Sequence, residues 1–260
     1  MLLGLVKPTS GRALLQGHDV WHDPVAALRG VGAMIEAPAF YPYLSGYRNL
    51  HVLAAADGLP KERIDATLKL VELEDAAHKR TGTYSQGMKQ RLAIAAALLA
   101  EPEVIILDEP TNGLDPAGTV EIRNLIRTLA QGGRTIFLCS HMLHEVEQLC
   151  QRVAILQEGH VLAQGEVSDL LQRGRGVQVR IAGDGEQIAH AITLLQALPW
   201  VHDVEQEEDV LIVDAASHRT PEINALLARN DILVAEIRAR EESLEAFFLD
   251  ITQQKEPEGK

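Results

Sequence analysis

The chain has 260 residues, 46% of them hydrophobic, enough to fill one large domain or one domain with a small appendage. Its formal net charge of −13, with no run of Lys or Arg, excludes a broad nucleic-acid or anionic-membrane surface. The two cysteines, Cys139 and Cys150, make no disulfide framework and point to an intracellular address.

In chain order, Lys7-Pro8-Thr9-Ser10-Gly11 interrupts the apolar start before any signal-peptide core. The pattern then predicts strands over Arg12–Gln16 and Val31–Ile35 and helices over Gly46–Ala56, Lys61–Leu73 and Gly87–Ala100. The longest apolar run, Leu92 to Ala100, is too short to span a bilayer, so work at a membrane would go through a partner. Val104–Leu107 is wholly apolar, as suits a strand buried on both faces. A helix over Pro116–Ala130, a strand over Arg134–Cys139, a helix over Leu143–Cys150 and a strand over Arg152–Leu156 complete an alternation that predicts a parallel sheet with helices packed on it.

Gly174-Arg175-Gly176 reads as a linker. Beyond it come a strand (Val177–Ile181), a helix (Glu186–Leu198), strands Val201–Glu205 and Val210–Val213, a helix (Pro221–Arg229) and a strand (Ile232–Arg238). That β-α-β-β-α-β order is the ferredoxin-like pattern. An amphipathic helix follows over Glu241–Ile251, with Leu244, Phe247 and Phe248 expected to pack back onto this small domain. The polar tail 253–260 is expected to be disordered.

The chemistry begins where Val104–Leu107 ends in two adjacent carboxylates, Asp108 and Glu109. In open α/β sheets ligands bind at that end of the strands. The placement suits Asp108 to hold Mg²⁺ through a water and Glu109 to polarise a water attacking a γ-phosphate. Taken alone, it suits two solvated acids equally well. His141 ends the next strand, 33 residues after Asp108, which leaves room for a loop, a helix and a strand between them. A lone His is ordinarily a satisfied surface or core residue, but this register brings it to the same edge of the sheet. Upstream, Ser85 and Gly87 open a long Ala-rich helix in Tyr84-Ser85-Gln86-Gly87-Met88-Lys89-Gln90-Arg91. Ser85 can cap that helix, whose exposed N–H groups favour an anion; a plain capped helix fits as well. A G-x-S-x-G nucleophile elbow fails, because Thr83 stands two residues before Ser85.

Taken together, these segments resemble the ATP-binding cassette (ABC) ATPases over roughly residues 1 to 170. Tyr84 to Arg91 resembles their signature loop, Leu107 to Pro116 their Walker B strand and D-loop, and His141 their switch histidine. The Tyr84-Ser85-Gln86-Gly87-Met88 variant, and Glu36 in place of the Q-loop glutamine, resemble the ATPases of bacterial drug and peptide-antibiotic exporters of the bacitracin-resistance type. The resemblance implies a P-loop NTPase-like α/β core over residues 1–171, with a helical signature subdomain at about 40–100. An α+β ferredoxin-like accessory domain would follow over 177–252. It implies ATP and Mg²⁺ as ligands, Asp108 and Glu36 on the metal, and Glu109 and His141 as catalytic groups. Ser85, Gln86, Gly87 and Asp115 would face a nucleotide shared with a second ATPase subunit, in a homo- or heterodimer. Integral membrane permease subunits would be the other partners, placing the chain at the cytoplasmic face of the plasma membrane. A DNA-repair-type ABC ATPase is the weaker reading, because only about 80 residues precede Ser85 and none form sustained heptads.

One family element does not appear. No G-x-x-x-x-G-K-[ST] phosphate loop occurs: Gly82–Gly87 is followed by Met88 and Gly113–Gly118 by Thr119. Met1 to Gly11 resembles the segment that directly follows the Walker A helix. The expectation is therefore an internal methionine taken as the start, or a truncated gene, with a degenerate regulatory subunit as the rival. On either account the 260 residues by themselves are expected to hydrolyse little ATP.

Overall fold

The computed structural model describes residues 1–36, 39–172, 176–240 and 243–253. The linker predicted at 174–176 lies mostly outside them, as does the tail after residue 253. The chain divides into two compact units, Met1–Glu145 and Val146–Lys260. The boundary read from the sequence near residue 171 falls inside the second unit.

The first unit opens with a short antiparallel pair, β1 (Leu14–Leu15) and β2 (His18–Asp19), followed by helix α1 (Pro24–Leu28). The strand expected over Arg12–Gln16 is thus only two residues long, because Gln16 and Gly17 both take positive φ and turn the chain into β2. Strand β3 (Val31–Met34) precedes helices α2 (Gly46–Ala56), α3 (Glu62–Leu70) and α4 (Gln86–Leu98), which pack on one another. The helix predicted to Leu73 stops earlier, where Glu72 takes φ +57° and the chain leaves the helical region. Strand β4 (Val104–Asp108), helix α5 (Pro116–Gln131) and strand β5 (Thr135–Cys139) complete the unit. Helix α6 (Leu143–Leu149) runs across the division.

The sheet is parallel, in the order β3-β4-β5, with Met34 opposite Leu107 and Asp108 opposite Cys139. Ile105, Ile106 and Leu107 on the central strand are buried, as its unbroken apolar run requires. Helix α4 lies against β3 so closely that a Cβ on Gly32 would run into the Ala97 carbonyl. The entry to α4 is anchored by Tyr84, whose hydroxyl donates to the Ala76 carbonyl at 2.6 Å. The missing side chain of Gly46 leaves room for that ring. Buried Asn49 fixes the preceding loop: its amide donates to the carbonyls of Tyr41 and Ser45, and its side-chain oxygen accepts from Tyr41 N–H.

The second unit begins with the antiparallel hairpin β6 (Arg152–Gln157) and β7 (His160–Glu166), followed by α7 (Val167–Gln172). Then come β8 (Gly176–Ile181), α8 (Gly185–Gln196), β9 (Asp203–Glu207), β10 (Val210–Asp214), α9 (Thr220–Arg229) and β11 (Val234–Arg240). The four strands form an antiparallel sheet in the order β11-β8-β10-β9, the arrangement expected of the β-α-β-β-α-β pattern. Val177, Val179, Leu211 and Val213 on one sheet face pack with Ala191 and Leu195 of α8 and Ile223 and Leu227 of α9.

The last helix, α10 (Leu244–Gln253), departs from expectation. Phe247 and Phe248 pack with Ile155 and Leu162 of the β6–β7 hairpin and Leu170 of α7, not with the four-stranded sheet. The N–H of Leu244 donates to Glu147 on α6 at 3.0 Å, which fixes where α10 starts. No helix among the described residues is long and apolar enough to cross a membrane.

Candidate active site

The carboxyl ends of β4 and β5 carry the acidic and imidazole groups. Asp108 closes β4, half-buried, and Glu109 follows with φ +49°. A non-glycine residue in that left-handed region costs about 1–3 kcal/mol and persists only when its surroundings hold it. Three hydrogen bonds do so: Glu109 N–H donates to the Cys139 carbonyl at 2.9 Å, and the Glu109 carbonyl accepts from Asn112 N–H at 3.1 Å and from the Gln90 side chain at 3.3 Å. The turn aims the carboxylate across the sheet edge toward β5.

There it meets the segment after β5. Glu109 Oε1 accepts from the His141 main-chain N–H at 2.9 Å and lies 2.8 Å from His141 Nδ1, while Oε2 accepts from the Ser140 hydroxyl at 3.3 Å. The Glu109 side chain is 28% exposed and that of His141 71%, so the ring stands in solvent with its carboxylate contact as the main restraint. The predicted convergence of Glu109 and His141 is present in the fold, beside Asp108.

Ser85 and Asp115 occupy a neighbouring surface. Ser85 caps α4, its Oγ accepting from Met88 N–H at 3.2 Å, and Asp115 caps α5, its Oδ1 accepting from Gly118 N–H at 2.9 Å. The two caps are adjacent: a Cβ on Gly113 would touch Gln86, and one on Gly87 would touch Leu114. Between them lies an open cavity of about 370 Å³ lined by Ser85, Gln86, Gly87, Arg91, Asp115 and Glu121 among others. Arg91 braces its floor, donating to Glu72 at 2.8 Å, to Glu121 at 2.9 Å and to the Val71 carbonyl at 2.9 Å. Burial opposes its charge, but the hydrogen bonds to the two carboxylates outweigh that and hold its pKa above the usual value.

Glu36 stands apart. It lies two residues beyond β3, exposed, with φ +50°, and among the described residues it makes no hydrogen bond or ion pair with Asp108 or Glu109. Gln90 and Ser140 are site residues that the sequence reading did not single out. Gln90 was legible in principle: it sits four residues before Ile94, on the buried face of α4, where an amide needs a partner. Cys139, opposite Asp108, has its thiol pKa raised, first by burial and then by the charges of Asp108 and Glu109.

The donor chemistry suits a hard cation and phosphate oxygens. Mg²⁺ is ordinarily held by one or two carboxylates together with waters and substrate phosphates, and Asp108, with the Ser140 hydroxyl nearby, offers such oxygen donors. The G-x-x-x-x-G-K-[ST] cradle is not among the 260 residues, so the groups present fit the metal, water and partner-facing sides of a nucleotide site and not its main-chain phosphate cradle.

Comparison with known proteins shows the family. Residues 1–112 match the family described as ABC transporter. The bacitracin transport ATP-binding protein BcrA of Bacillus licheniformis is 40% identical over 255 residues, covering 96% of this chain and 82% of that protein. The linearmycin resistance ATP-binding protein LnrL of Bacillus subtilis is 33% identical over 263 residues, covering 97% of this chain and 84% of that protein. Among solved structures, CbiO1 of Clostridium perfringens, part of the ABC transporter complex CbiONQ, superposes with a TM-score of 0.59 at 34% identity, covering 65% of this chain and 71% of that one.

Proposed function

The chain belongs to the ABC transporter family of ATP-binding proteins, and from that premise we propose that it is the ATP-hydrolysing subunit of a membrane exporter of drugs or antimicrobial peptides, its 260 residues supplying the metal, water and partner-facing groups of a site whose phosphate cradle they do not include. The observation that carries this reading is the meeting of Glu109 with Ser140 and His141 at the end of β4 and β5, beside Asp108. Relatives named for bacitracin transport and for linearmycin resistance support a cargo of that class.

Each group takes a role set by its place. Glu109 is the general base: its carboxylate polarises the water that attacks the γ-phosphate. In the present arrangement Oε1 meets both the main-chain N–H and the ring of His141, and the exposed ring can leave it for a γ-phosphate oxygen, which frees one acceptor position on Oε1 for the water while the main-chain contact stays. Asp108 would hold Mg²⁺, and Glu36 would offer the ion or its water a further carboxylate. When bound, Mg²⁺ neutralises charge developing on the phosphates. Ser85, Gln86 and Gly87 present the α4 N-terminus to the nucleotide of a second ATPase subunit, and Asp115 stands at the seam between the two. The exposed rings of Tyr41 and Tyr43, on the loop after Glu36, form the surface offered to the permease, which keeps the chain at the cytoplasmic face of the membrane.

The test is purification from detergent-solubilised membranes through a tag on this chain. A multi-span membrane protein is expected to co-purify, with Mg²⁺-dependent ATP hydrolysis in the eluate. Recovery of the chain without any integral membrane protein would contradict the reading.

A further inference from the structure

We propose that Arg123 and Glu145 are positioning residues for His141; the proposal rests on the roles given above to Glu109 and His141. Glu145 is the single carboxylate among the described residues that is buried, at 5% exposure. It lies in the first turn of α6, and Arg123 reaches it from α5 with a two-point contact: Nη2 donates to Oε1 at 3.1 Å, and Nε lies 3.0 Å from Oε2. Both side chains are largely withdrawn from water, at 14% and 6% exposure.

A buried ion pair adds little net stability over a well-packed apolar pair, because desolvation consumes most of the Coulombic gain. Its better-attested use is to fix register between elements, and the planar fork of Arg adds directional specificity. The elements fixed here are informative. Helix α5 starts at the Asp115 cap, and α6 starts two residues after His141. Main-chain N–H of Glu145 donates to the Met142 carbonyl at 2.9 Å, and Met142 N–H donates to Ser140 Oγ at 3.1 Å. Ser140 Oγ in turn donates to Glu109. A short, continuous set of contacts thus runs from Arg123 through Glu145 to the three-residue segment that carries the imidazole. Because the ring itself is 71% exposed, its reach to Glu109 depends on where that segment is held. Arg123 and Glu145 hold it.

The experiment uses the full chain labelled with ¹⁵N-histidine. Long-range ¹H–¹⁵N correlation distinguishes the two ring tautomers, and His141→Gln identifies the His141 signals among those of the 10 histidines. The wild type is expected to show His141 with the proton on Nδ1, donated to Glu109. The double variant Arg123→Met with Glu145→Leu leaves no unpaired buried charge and should remain folded by circular dichroism. It is expected to lose the Nδ1–H signal in favour of the Nε2–H form of an unconstrained imidazole. Should it fail to fold, Glu145→Gln, which keeps the shape and removes the charge, is expected to lose at least half of that signal. A wild-type signal that persists unchanged in whichever variant is folded overturns the positioning role and leaves the reading of Glu109 and His141 intact. A wild type that lacks the signal overturns that reading and the positioning role with it.

Discussion

The buried side-chain amide of Gln90 donates to the main-chain carbonyl of Glu109 across 3.3 Å. That bond joins the helix headed by Ser85 to the acid that ends β4, so the surface assigned to a partner's nucleotide and the base assigned to the chain's own share one contact. Replacing Gln90 by Leu is expected to lower unfolding free energy by about 1 kcal/mol, since Asn112 N–H still satisfies the carbonyl. It should also reduce ATP turnover in the membrane complex, because Glu109 loses one of the bonds that hold its left-handed backbone. Urea unfolding and steady-state turnover on the same preparation check both. Unchanged turnover would show that Glu109 is held without Gln90.

Close packing of α4 on β3 makes a second prediction. A Cβ at Gly32 meets the Ala97 carbonyl, a main-chain atom that cannot rotate away, whereas a Cβ at Gly185 meets nothing within 4 Å. Gly32→Ala is therefore expected to cost about 1–3 kcal/mol or more. Gly185→Ala should be neutral or slightly stabilising. Denaturant midpoints of the two variants give the comparison, and equal midpoints would contradict the packing described.

The thiol of Cys139 offers a probe of the site's electrostatics. Partial burial first, then the charges of Asp108 and Glu109, raise its pKa above the usual thiol value. The reactive species is the thiolate, so alkylation by iodoacetamide near neutral pH should be slower than for an unstructured cysteine peptide. The rate should keep rising at pH values where the peptide has reached its plateau. Asp108→Asn removes one opposing charge and is expected to speed the reaction and move its profile to lower pH. A profile for Asp108→Asn that superposes on the wild type would remove the carboxylate contribution.

Much of this arrangement was legible in the residues, and the exceptions have physical causes. The apolar run 104–107 and the acids behind it placed β4 and its chemistry, since a strand buried on both faces leaves few other readings. The turn of pattern after residue 176 gave the order of the four-stranded sheet. The apolar spacing continues to Leu73 and so extends α3 beyond its end, while the termination lies in the backbone of Glu72, which composition does not reveal. Strand β9 lies two residues later than expected, because the register is set by pairing of Val204 with Val213 and not by the apolar Val201. Strand β7 and helix α7 carry no clear apolar period. Their mixed polarity is explained by the hairpin's two faces, only one of which meets α7 and α10. The destination of α10 is not legible for a related reason: an amphipathic helix announces that it has a partner, not which one. The contact of Ser140 with Glu109 spans 31 residues of sequence and follows from the parallel register of β4 and β5, which only the fold supplies.

The role proposed for Glu109 is to polarise the water in ATP hydrolysis. The most direct measurement is the turnover and nucleotide content of the membrane complex purified through this chain, with Glu109 intact and with Glu109→Gln. The amide oxygen keeps an acceptor for the His141 N–H, the Ser140 hydroxyl can turn to accept from the amide nitrogen, and the basic oxygen is gone, so turnover is expected to fall by about 10²–10³-fold while ATP remains bound. Turnover by Glu109→Gln within about twofold of the intact complex would contradict the account, because loss of a general base is worth far more than that.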